Sequence, residues 1–90
     1  MATVTTKDGI QLAMRVPMYA SEIAALDEAR DAEFVREVGT MYRIVSAAAL
    51  DDETRAHLAK MPATDIADVL TLWSGASEDD AIPPASGTSS

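Results

Sequence analysis

His57 is the side chain best suited to exchange a proton near neutral pH. It stands in "DDETRAHLAK", five residues after Asp52 and four after Glu53. On a helix these three share a side, an arrangement open to acid–base work or to metal binding. Either chemistry needs further parts, a nucleophile beside the imidazole or additional ligands. The chain has one histidine and no cysteine, which removes thiolate zinc sites, thiol nucleophiles and disulfides together. His57 therefore reads as an ordinary half-exposed helical histidine. The acids from Glu22 to Glu37 form the second candidate, a pair of carboxylates. Glu33 and Glu37 lie one turn apart, with Arg30 and Arg36 offsetting them, and that pattern reads as a solvated helix face. No GxGxxG or P-loop pattern occurs, and "DGIQLAMR" holds no cluster of glycines to cradle phosphate. We expect no enzyme, no cofactor and no metal site. "EDD" at 78–80 is either a recognition tail for a basic partner or a solubilising linker, and the second reading is preferred.

The totals limit the remaining classes. Ninety residues, 48% of them hydrophobic but only 4% aromatic, suit one small domain with a core of Ala, Val, Ile, Leu and Met. A core of that size is thin, so self-association or a partner would add stability. Fifteen acids against seven bases give a formal charge of −8. That sign opposes nonspecific attraction to phosphate and fits no nucleic-acid partner, although a nucleic-acid mimic would share it. "MATVTTKDG" lacks the basic and apolar regions of a signal peptide. No apolar stretch approaches the ~20 residues of a membrane span. The expected location is cytoplasmic.

The elements that would position any site follow from patterning. "TVTTKDGIQLAMRVP" alternates as strands do, and Asp8-Gly9 supplies a turn that tolerates positive φ. A hairpin over about residues 2–6 and 10–16 is expected, with Ile10, Leu12 and Met14 on one face and Pro17 closing it. Ser21 is placed as the cap of a helix carrying Ile23 and Leu26, and Asp31 as the cap of a second. The second shows Phe34, Val38, Met41, Val45 and Ala48 at steps of three or four, the clearest amphipathic stripe in the chain. Gly39 within it is either tolerated or a point of close backbone approach. "LDDETRAHLAKMP" gives a third, short helix capped by Asp51 or Asp52. A fourth opens at Pro62 or Thr64, carries Ile66, Val69, Leu70 and Trp73 on one face, and closes at Gly75. The fold class is mostly α: about four helices with a short N-terminal β-hairpin over residues 1–75, then a disordered acidic, Pro- and Ser-rich tail over 76–90.

The apolar stripes are expected to bury one another, the Phe34–Val45 face against Ile66, Leu70 and Trp73. Four short elements do not cover every side, and apolar area left exposed marks an interaction surface. Ile44 and Leu72 lie off the main stripes, while Met18 and Met41 offer adaptable side chains. Trp73 either closes the edge of the domain with its indole N–H toward solvent or anchors a partner. The expected partner-binding residues are Met18, Met41, Ile44, Leu72 and Trp73, and a homo-oligomer is expected.

The layout resembles the small tail assembly chaperones of long-tailed bacteriophages. In these a short β segment leads through a proline into a helix, here "GIQLAMRVPMYASEIAALDEA". A longer helix follows, then an acidic-capped short helix and a last helix near a tryptophan, here "LDDETRAHLAKMPATDIADVLTLWSG". The resemblance spans about residues 8–75 and rests on layout, size and acidity. It implies a mostly helical, self-associating protein of the host cytoplasm that holds the tape-measure protein soluble and recruits the tail-tube protein. Two other readings remain: a small acidic inhibitor docking on a basic surface, and a structural tail or head-completion subunit.

Overall fold

The computed structural model describes residues 1–78 and 81–82. In chain order the elements are β1 (Ala2–Thr5), β2 (Gln11–Met14), α1 (Ala20–Ala29), α2 (Phe34–Ala48), α3 (Asp52–Ala59), α4 (Ala63–Ser74) and β3 (Ala81–Ile82). The mostly helical class with an N-terminal strand pair is therefore what the chain adopts. Alternation along the strands explains the sheet. Val4 pairs with Leu12 and Ala2 with Met14 in an antiparallel register, and these four side chains form its buried face. A one-residue slip would turn all of them to solvent. The turn between the strands uses Gly9 at φ +85°, and Thr6 accepts from the amides of Gly9 and Ile10.

The hairpin gains partners on both outer edges. On the β2 side the strand meets the α2–α3 junction. The Arg15 amide donates to the Ala48 carbonyl at 2.7 Å, and the Leu50 amide donates to the Ala13 carbonyl at 2.9 Å. The Ala13 amide donates to the Thr54 hydroxyl oxygen at 3.1 Å. On the other side Ala81–Ile82 runs parallel to β1, pairing with Thr3 and Val4. This third strand lies within the expected tail and was not part of the hairpin reading. The rest of that tail, apart from residues 76–78, lies outside the described residues.

Two of the expected caps move. Helix α1 begins at Ala20, before Ser21, because Glu22 reaches back to accept the Tyr19 amide at 2.7 Å and so fills one of the vacant donors of the first turn. Asp31 sits in the turn that follows α1, and Glu33 takes the N-cap position of α2. In α3 the expected Asp51 cap forms, its carboxylate accepting the Thr54 amide at 2.7 Å. Helix α4 starts after Pro62, which occupies the N-cap position.

The core joins Val4, Leu12 and Met14 of the sheet to Val45 and Ala48 of α2, Leu58 of α3, and Ile66, Val69 and Trp73 of α4. Helix α4 packs on β1 and α3 on β2, while α2 touches all three other helices. Its buried positions, Ile44, Val45 and Ala48, all lie toward its C-terminal end. Phe34 remains 65% exposed and Val35 80%. The expectation that the stripe is buried from Phe34 onward is thus corrected. The periodicity placed Val45 and Ala48 correctly, but only the C-terminal part of α2 holds its buried positions.

Candidate functional site

Helix α1 joins the body chiefly through α2. Between α1 and α4 this leaves a groove of about 430 Å³, walled by Pro17, Met18, Ile23 and Leu26 on one side and Leu70 and Ala76 on the other. Thr71 and Ser74 supply its hydroxyls. Both are turned back on their own helix, Thr71 donating to the Ala67 carbonyl at 3.0 Å and Ser74 to the Thr71 carbonyl at 2.8 Å. No charged residue lines the groove. Ile23 is 56% exposed, an aliphatic side chain left in water at the mouth of an apolar channel. Such a surface can hold an apolar segment of another molecule.

One end of the groove is set by a cluster around Arg15, a residue the sequence reading passed over. Its guanidinium lies 3.8 Å above the Tyr19 ring, binds Glu22 Oε2 at 2.6 Å and donates to the Pro17 carbonyl at 2.9 Å. Its own carbonyl accepts the Trp73 indole N–H at 2.6 Å. Strand β2, the Pro17–Tyr19 segment, the start of α1 and the end of α4 are therefore tied at one residue. The Val16–Pro17 peptide is cis. Arginine suits this role because its planar fork can stack and donate in several directions at once.

The five expected contact residues separate. Met18 lines the groove. Met41 and Leu72 are half-buried and pack against the core. Ile44 is only 8% exposed and Trp73 only 1%, so neither presents a surface to a partner in this fold. Ile44 lies inward because it joins the core that α2 shares with α4, α3 and the sheet. Trp73 is buried, and its N–H finds a carbonyl in place of the solvent expected for it. Ile23, Leu26 and Leu70 were seen in the sequence as helix-face residues but were not assigned to a site. Exposure at Ile23 depends on the angle between α1 and α4, which spacing does not encode.

No protein-family model, curated protein or solved structure matches this chain.

His57 and its neighbours do not assemble a reactive group. Glu53 Oε1 lies 3.8 Å from His57 Nε2, while Asp52 turns away to bind Arg55 at 2.5 Å. Among the described residues no three His, Cys, Asp or Glu side chains gather as metal ligands would, and no helix is long and apolar enough to cross a membrane. Asp51 and Lys7 titrate away from their ordinary values. Hydrogen bonds from the Thr54 amide and hydroxyl hold the Asp51 carboxyl below its usual range. The hydrogen bond and charge of Asp65 hold the Lys7 ammonium above its own. Both effects belong to capping and ion pairing, away from the α1–α4 groove.

Proposed function

We propose that this chain is a non-enzymatic assembly chaperone of the long-tailed phage type, acting in the host cytoplasm. It would hold an apolar helical segment of a tape-measure protein and pass it to the tail-tube protein. The observation that carries this reading is the α1–α4 groove, lined by apolar side chains and two hydroxyls without a charge and with Ile23 at its mouth, on a chain of net charge −8. A helix laid in such a groove is held by side chains at i, i+3 and i+4, which fill the apolar channel. The acidic exterior keeps loaded chains apart and soluble. Self-association, expected from the slight core, would set further grooves side by side.

The test is co-expression with a candidate tape-measure protein, scored by how much client stays soluble and bound. Wild type should retain it in high salt, because apolar contacts are little screened. Ile23→Asp, at an exposed position, should keep the fold and release the client. A folded Ile23→Asp variant that holds the client as well as wild type does would reject this site. A second reading, an acidic inhibitor docked on a basic surface, draws on the same charge and on the exposed acids Asp52 and Glu53. It requires binding that collapses as salt is raised and is indifferent to Ile23.

A further inference from the structure

The solvent side of α2 offers a second surface, apart from the groove. The apolar–basic pair Val35–Arg36 recurs two turns on as Tyr42–Arg43. Positions so spaced share one side of a helix, so an apolar line and a basic line run side by side along about 10 Å of axis. Val35 and Tyr42 are exposed, and so are both arginines. Lys7, Arg15, Arg30 and Arg55 each pair with a carboxylate. Among the described residues Arg36 and Arg43 pair with none, on a chain that carries fifteen acids. Arg43 is nonetheless held in place. Its Nη2 donates to the Thr40 hydroxyl oxygen at 3.2 Å, and Thr40 donates to the Arg36 carbonyl at 3.0 Å. Its Nη1 lies 3.9 Å from the position a Cβ on Gly39 would take, so the guanidinium lies along the helix beside the glycine. A fork fixed in this way, with donors to spare, suits a carboxylate.

We propose that this face of α2 docks a helix of a partner protein whose contact side combines carboxylates two turns apart with apolar side chains. The carboxylates meet Arg36 and Arg43, and the apolar side chains cover Val35 and Tyr42. Charge selects this occupant. A second copy set on the same face by a two-fold axis would bring arginine against arginine, between chains of net charge −8 each. The phosphates of a nucleic acid would leave Val35 and Tyr42 uncovered and would be repelled by the acids of the rest of the chain. A helix fits because its own rise repeats the two-turn interval. Gly39, between the two pairs, puts no side chain in the way of packing at about 8–10 Å between axes.

The probe is a capped, alanine-based helical peptide of about sixteen residues. It carries two glutamates two turns apart, each flanked by leucines to allow either helix direction. It is titrated into the full chain at low salt, and binding is read from amide shifts, which should fall on residues 35–43. Arg36→Gln and Arg43→Gln should each weaken binding roughly two- to fivefold, and replacing both glutamates by glutamine should cost at least as much. Val35→Asp should weaken it roughly tenfold or more. Ile23→Asp should bind the peptide as wild type does, which separates this face from the client groove. No binding at about 1 mM peptide, equal binding of the glutamate and glutamine peptides, or shifts confined to the groove would each overturn the proposal. So would a duplex oligonucleotide that shifts the same amides as strongly, or self-association of the chain through residues 35–43. If Val35→Asp fails to fold by circular dichroism, Val35→Ser carries the same expectation with a smaller loss.

Discussion

Trp73→Phe separates a structural tryptophan from a binding one. The indole is 1% exposed and donates to the Arg15 carbonyl at 2.6 Å. Phenylalanine keeps an aromatic ring in the same place but cannot donate. The part-buried Arg15 carbonyl then loses its partner, at a cost of about 1–3 kcal/mol. The smaller ring adds a partly collapsed void, so a total near 2–3 kcal/mol is expected. For a domain of this size, roughly 4–8 °C of melting temperature is lost per kcal/mol, which places the decrease at about 8–24 °C. The assay is urea and thermal unfolding followed by far-UV circular dichroism, since the variant lacks the only tryptophan. Wild type supplies the control: its fluorescence should be that of a shielded indole and should shift red on unfolding. A variant within about 0.5 kcal/mol of wild type, ordinary scatter for a surface change, would refute the account of the Arg15–Trp73 link. The same reasoning makes Trp73→Ala a folding mutation, unsuited to measuring partner contacts.

Gly39→Ala should stabilise the protein by about 0.5–1 kcal/mol, because a Cβ there meets only Arg43 Nη1 at 3.9 Å; chemical denaturation measures it, and a loss of stability would reveal a close approach that the structure lacks. Thr54→Val should cost about 1–2 kcal/mol by removing the acceptor of the Ala13 amide, while Thr54→Ser should recover most of that in the same assay. For Asp51 the folded carboxyl titrates below its usual value of 3.8, so its stabilising contribution is present above that pH and is lost as pH falls through the folded value. Wild type should accordingly lose more stability than Asp51→Asn between pH 5 and 2, measured by urea unfolding at low salt; parallel curves would contradict the capping role.

Several parts of this arrangement were legible from residue order. Asp8-Gly9 identified the turn, alternation identified Leu12 and Met14 as inward, and the spacing of Ile66, Val69 and Trp73 gave the buried face of α4. Each is a local rule in which one residue type has one physical reason to be present. The contacts that define the candidate site are not local. Nothing about a single arginine before Val16 shows that it will meet Tyr19, Glu22 and the end of α4. The amphipathic stripe of α2 gave its direction but not the length over which other elements would cover it, so Phe34 is expected in the core and Ile44 at the surface. Ala81–Ile82 escaped notice because two apolar residues among acids and prolines carry no period.

The Arg15–Trp73 hydrogen bond joins residues 58 positions apart, and that span orders events during synthesis. Helix α4 supplies Ile66, Val69 and Trp73 to the core and packs on β1, so the first sixty residues by themselves leave β1 without the helix that covers it. Val4 must then wait in water, or in the care of a folding factor, until the last helix is made and closes a long loop over it.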